Sequence, residues 1–200
     1  ICAFLAGVLL GALWGAIPGL FKALLNINEV ITCIMTNWIA ANLVTWWFDA
    51  HDVFKNSAEG GKVGYIIPLK NVGVVTPKWG MDTLFHGSQA NGGFWIACIL
   101  AIVMWVIMTK TTFGYELRAC GQNRHAAKYA GINDKKNIVL SMVIAGALAS
   151  AGGALYYLSG NTEFYWSTYM SLPSEGFNGI PVALLAANHP IGVIFAGVFM

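Results

Sequence analysis

Five stretches of the chain contain no Asp, Glu, Lys or Arg: Ile1–Phe21, Val30–Phe48, Thr83–Thr109, Asn137–Thr162 and Gly176–Met200. A helix that crosses a bilayer needs about 20 mostly apolar residues, and the first two stretches supply them directly. The third opens on a polar entry, His86 to Gly93, and is apolar from Phe94 to Met108. The fourth is apolar from Ile138 to Leu158. The fifth is interrupted. Its segment Phe177–Ala187 is followed by Asn188, His189 and Pro190, and only then by Ile191–Met200. At 1.5 Å per residue the first piece reaches about 16 Å, roughly half of the ~30 Å hydrocarbon core. Pro190 disfavours helix at His189. The interruption reads either as a tight turn between a short re-entrant helix and a span, or as a broken helix beside a transport path. The pattern predicts an all-α polytopic membrane protein, a bundle of about five to six transmembrane or re-entrant helices.

Composition agrees. Charged residues are 10% of the chain, against about 25% in soluble domains. Hydrophobic residues reach 57% and the mean hydropathy is +0.63. A soluble fold of this length has too little interior for that much apolar surface. The net charge of +2 is small, which argues against a nucleic-acid partner and leaves the lipid bilayer as the surrounding medium. Cys2, Cys33, Cys98 and Cys120 are scattered, with no CxxC or Cys/His metal spacing, so no disulfide framework is expected.

The polar segments orient the spans. Thr112 to Asn137 is the one strongly basic segment, holding Arg118, Arg124, Lys128, Lys135 and Lys136 against Glu116 and Asp134. Basic loops face the cytoplasm. The span 94–109 then runs inward and 138–158 outward. Residues 49–93 form a long extracytoplasmic loop, in which four lysines meet four acids. The span 30–48 runs outward from an inner turn bearing Lys22, and the outer loop 159–175 carries Glu163 and Glu175 without a base. Both ends of the chain fall in apolar runs, so residues 1–200 are expected to form one permease domain, incomplete at both ends, a piece of a larger permease.

Small residues predict close packing. Gly7, Gly11, Gly15 and Gly19 recur every four residues, and Gly146, Ser150 and Ala154 repeat the spacing in the fourth span. Residues 110–136 form a cytoplasmic loop too patterned for a tether, with alanines and glycines punctuating one short amphipathic helix. Within it, Arg118 and Arg124 are expected to meet acids on a partner, and Ala126, Ala127 and Gly131 to let that partner close over the backbone. The loop 49–93 has β-like runs at Tyr65–Leu69 and Val72–Thr76. Long loops of this kind are ordered caps or functional surfaces, such as a soluble binding protein would need, or else mobile connections with no partner.

Polar groups inside spans are the other pointer to function. Asn28 caps the second span and Glu29 suits its positive end. Thr32, Thr36, Asn37, Trp38 and Asn42 lie within it. Each amide needs a partner, in another helix or in a solute. Amides with an aromatic ring suit a neutral polar solute with a stacking face. Asn178, in the first piece of the fifth stretch, and Asn188, at its interruption, complete the candidate path. A secondary, ion-coupled carrier of a small polar solute is the alternative, but no Asp, Glu, Lys or Arg lies in any span. The chain has no GxxxxGK[ST] nucleotide loop, no Ser/His/Asp set, no HExxH and no paired carboxylates. His51, His86, His125 and His189 are too scattered for a metal site.

NEVITCIMTNWIA, TFGYELRACGQNRHAAKYAGI, GALASAGGAL and GFNGIPVALLAANHPIGVIFAGVF occur in that order. Together they resemble the membrane permease subunits of bacterial ABC importers for simple sugars and nucleosides, relatives of the branched-chain amino-acid permeases. The resemblance covers nearly the whole chain and is weakest across 49–93. It implies a multi-pass protein of the bacterial inner membrane and a transport subunit rather than an enzyme. No cofactor is implied on this chain, and ATP is hydrolysed on partner ABC ATPase subunits. A second permease subunit and an extracytoplasmic substrate-binding protein are the other implied partners. It further implies that Gly114–Ile132 engages the ATPase, with Glu116, Arg118, Gly121, Asn123, Ala126, Ala127 and Gly131 at the motif positions. Cys120 departs from an expected aliphatic residue.

Overall fold

The computed structural model describes residues 2–51, 92–159 and 174–200, the side chains of 174 and 175 excepted. The β-like runs and nearly all of the two outer loops lie outside the described residues. Among the described residues the regular elements are α-helices: α1 Cys2–Leu25, α2 Glu29–Ala50, α3 Gly93–Lys110, α4 Thr112–Gln122, α5 Arg124–Tyr129, α6 Asp134–Tyr157, α7 Ser174–Leu185 and α8 Pro190–Phe199. Helices α1, α2, α3 and α6 are each long and apolar enough to cross a membrane. Helices α7 and α8 meet at a bend of 115°.

The most extensive contact joins α1 to α6. The two run antiparallel with their small residues in register. Gly7 faces Ala154 and Ser150, Gly11 faces Ser150 and Gly146, Gly15 faces Gly146 and Met142, and Gly19 faces Met142 and Val139. The approach is close enough that a Cβ on Gly15 would lie 2.6 Å from the Met142 carbonyl oxygen. The Ser150 hydroxyl donates to the Gly7 carbonyl across the same seam. The buried apolar side chains among the described residues are small: Pro18, Ala23, Ala127, Ala151 and Ala196. Large apolar side chains such as Leu9, Leu13 and Leu24 point outward instead. That inversion is the expected packing in lipid, where tails are as apolar as leucine and close backbone approach drives association.

Turn chemistry sets the ends of the helices. Asn26, at φ +53°, takes the left-handed conformation that terminates α1. Asn28 then caps α2, its side-chain oxygen accepting from the Val30 N–H at 2.9 Å. Lys22 and Glu29 pair at 2.7 Å across this turn. At the bend between α7 and α8, Ala187 and Asn188 both have positive φ, and His189 caps α8 through the Gly192 N–H. The interruption read in the sequence is therefore a sharp helix–turn–helix. Helix α8 packs on α3, while α7 touches α8.

Candidate functional site

The basic segment folds as two helices rather than one. Asn123 breaks the run: its extended backbone ends α4, and its side-chain oxygen accepts from the N–H groups of His125 and Ala126 to start α5. Helix α5 ends in a Schellman turn, with the Ile132 N–H on the Ala127 carbonyl and the Gly131 N–H on that of Lys128. Gly131 sits at φ +80°, and the residue there is glycine for that conformation, since a Cβ would meet nothing within 4 Å.

Helix α4 is seated from two sides. Thr111 caps it through the Gly114 N–H and also bonds back to the Ile107 carbonyl. Gly114 is buried where α4 folds against the end of α3, and a Cβ there would strike the Ile107 carbonyl and lie 2.6 Å from Met108 Cα. On the other side, Asn137 of α6 donates to Glu116 at 3.2 Å and approaches the Cys120 sulfur at 3.8 Å. Asn137 is only 2% exposed. It is a functional candidate that the sequence reading passed over, although an amide in the first turn of a span, beside a basic loop, is a readable signal.

Helix α5 is fixed by Arg124. Its Nε donates to Asp134 at 2.7 Å, and Nη1 reaches Asn26 at 3.4 Å. This corrects one expectation. Arg124 is engaged inside the chain, tying α5 to the start of α6 and to the α1–α2 turn, and is not held out for a partner's acid. Ala127 is likewise buried against its own chain. Arg118 folds back weakly onto the Gly114 carbonyl at 3.4 Å and stays exposed. Gly121, Ala126 and Gly131 are exposed, as is Tyr129 at 94%. The structure thus places the α1–α2 turn, the α4–α5 platform and the start of α6 at one end of the bundle.

The candidate path residues do not gather in one place. Asn37 faces a cleft of about 620 Å³ between α1, α2 and α6, lined also by Trp14, Cys33, Thr36 and Ser150. Asn42 lies elsewhere on α2, donating to the Trp38 carbonyl of its own helix at 2.8 Å. Trp38 is half exposed, at 52%. Thr32, Thr36 and Thr45 likewise bond back to carbonyls one turn earlier. Asn178 lies exposed on α7, and Asn188 forms the elbow before α8. Asn tolerates the positive φ of 58° at that elbow better than most residues. No group of three or more metal-ligating side chains occurs among the described residues.

A free-standing cysteine at position 129 tests sidedness. With the four native cysteines replaced, Tyr129→Cys should resist a membrane-impermeant maleimide in intact cells and react in inverted vesicles. Labelling from outside would reverse the assigned orientation.

The chain is 41% identical over 191 residues to the nucleoside ABC transporter permease protein NupB of Lactococcus lactis, covering 95% of this chain and 51% of that protein. It is 37% identical to the guanosine ABC transporter permease protein NupP of Bacillus subtilis, over 93% of this chain and 51% of the relative. The glucose ABC transporter permease protein TsgB13 of Haloferax volcanii is 28% identical over 98% of the chain and 51% of its own length. The chain thus spans about half the length of these relatives. No solved structure matches. The model of the branched-chain amino acid transport system / permease component family matches residues 1–200. With four or five candidate spans among the described residues and that match along its whole length, the chain belongs to the branched-chain amino acid transport system / permease component family.

Proposed function

We propose that this chain forms the membrane path of an ATP-driven importer for nucleosides, with a simple sugar as the second solute class. The observation that carries the reading is 41% identity along 95% of the chain to a nucleoside permease. The uncharged interiors of the spans support it, since a neutral solute asks for amides, hydroxyls and rings rather than ion pairs. ATP is hydrolysed on partner subunits, because the chain carries no phosphate-binding loop. A second permease and an extracytoplasmic binding protein complete the assembly in the inner membrane, the binding protein releasing solute near residues 49–93 and 159–175.

In this mechanism ATP draws two ATPase subunits together beneath the membrane. Their movement is received by the α4–α5 platform. Gly114 ties the platform to α3, the Glu116–Asn137 bond ties it to α6, and Arg124 ties it to the α1–α2 turn. A push on the platform therefore reaches four spans at once. The bundle rocks against its partner, and the opening passes from outside to inside.

The test is uptake of labelled guanosine, uridine, galactose and ribose by cells whose only importer of this type is the full permease with its ATPase. Nucleoside uptake should be saturable, abolished when ATP is depleted and insensitive to a protonophore at constant ATP. Uptake that follows the proton gradient instead would replace the importer with an ion-coupled carrier.

A further inference from the structure

Trp14 holds the one buried side-chain nitrogen or oxygen without a hydrogen-bond partner among the described residues. Its indole N–H can only donate, and a buried donor left unpaired is unfavourable. Trp14 also lines the cleft between α1, α2 and α6, together with Asn37. The Asn37 amide, which offers two donors and an acceptor, has no partner among the described residues either. Two residues with unpaired polar groups thus line one cleft from facing helices, Asn37 exposed at its edge and the Trp14 nitrogen buried in its wall. The other polar groups at its wall are already engaged: Thr36 donates to the Thr32 and Cys33 carbonyls, and Ser150 to that of Gly7.

The cleft measures about 620 Å³, within the ~300–1,000 Å³ of small-molecule sites. No lining residue carries a charge, and Leu10, Pro18 and Met142 make much of the wall apolar. Such a lining selects among neutral solutes. A hexose carries hydroxyls around its whole rim, and the apolar wall would leave most of them unpaired, which is costly. A nucleobase concentrates its polar atoms in one edge and leaves two flat apolar faces. The Asn37 amide can meet a donor–acceptor pair on such an edge. The Trp14 ring offers a surface for stacking, and turning it within the cleft brings the N–H onto an acceptor of the solute.

We propose that this cleft is a solute-binding site for the base of a nucleoside, with Trp14 and Asn37 as its polar contacts. The inference rests on the importer reading above and adds the site's location, its base-directed chemistry and Trp14, which the sequence did not single out. Cys33 lies at the same wall and serves as a native reporter.

The experiment uses the full permease with its ATPase in nanodiscs, with Cys2, Cys98 and Cys120 replaced by Ser. The rate of Cys33 alkylation by N-ethylmaleimide is measured with no solute, with guanosine and with galactose. Guanosine should slow alkylation at least threefold and galactose should not. Trp14→Phe, which keeps the ring and removes the donor, should raise the KM for guanosine uptake about tenfold, and Asn37→Leu should abolish protection. If both variants fail to assemble, the protection measured with Trp14 and Asn37 intact still decides. A permease that takes up guanosine while Cys33 reacts equally with and without it overturns the site and leaves the importer standing. An unreactive Cys33 also overturns it, since another helix then fills the cleft. Protection by galactose alone overturns the base assignment.

Discussion

Gly11→Leu is expected to leave no stably folded permease. A Cβ at this position would fall onto the Cβ of Ser150 and lie 2.8 Å from the Gly146 carbonyl oxygen, both on α6. Overpacking costs ~1–3 kcal/mol where side chains can yield. Here the obstacle is helix backbone, so the cost belongs at the top of that range or beyond. About 3 kcal/mol lowers the ratio of folded to unfolded chains more than a hundredfold, and a marginally stable bundle has little more than that to lose. Gly146→Leu should behave alike, because its Cβ would strike the Gly11 carbonyl and lie 2.9 Å from Gly15 Cα. Two comparisons separate sterics from other effects. Ser150→Ala removes the hydroxyl that bonds to Gly7, and interhelical hydrogen bonds in membranes average only ~0.6 kcal/mol. Leu13→Ala trims a side chain that is 69% exposed and should change little. Yield, monodispersity and melting temperature in detergent should rank the variants in that order. A Gly11→Leu protein as stable as the parent would mean that α1 and α6 do not meet along this seam.

Gly114→Val should disconnect the platform from the bundle. The added methyls have no space, because the Cβ itself would strike the Ile107 carbonyl and sit 2.7 Å from the Met108 carbonyl carbon. Helix α4 must therefore swing away from α3, taking Glu116 from Asn137. The expected result is a permease that inserts and folds but loses transport, with its ATPase lost on purification or hydrolysing ATP without regard to solute. Asn137→Leu should give a milder form of the same defect, since it leaves the half-buried Glu116 carboxylate without this donor. Arg124→Ala should be milder still. Its ion pair with Asp134 is partly exposed, at 36% and 15% for the two side chains, and pairs of that kind contribute ~0–1 kcal/mol. Co-purification of the ATPase and solute-stimulated hydrolysis in liposomes check the series. Normal coupling in Gly114→Val would show that the seating of α4 on α3 is dispensable.

Gly131 and Ala127 make poor probes of the same surface. Gly131 holds φ +80°, so any side chain there strains the backbone before it meets a partner. Ala127 is 4% exposed, so a larger residue disrupts the platform's own packing. Tyr129 and Ala126 are exposed, so substitutions there spare the platform's own packing.

The sequence by itself determined the membrane class, the four long spans, the cap at Asn28 and the break before Pro190. Each of these depends on local quantities: the length of an uncharged run, the side chain that starts a helix, the proline that interrupts one. It also determined that α1 and the fourth span have faces made for close approach, because GxxxG spacing puts small residues on one side whatever the partner. Tertiary structure decided which faces meet. The pairing of Gly11 with Gly146 and Ser150, the engagement of Arg124 by Asp134 and Asn26, and the burial of Asn137 beneath Glu116 are contacts between residues far apart in the chain. Periodicity in one segment cannot encode them. The same holds for the cleft. Asn37 and Asn42 look equivalent along α2, yet 3.6 residues per turn separate them by about 140°. One opens toward Trp14 and α6, and the other closes on its own helix.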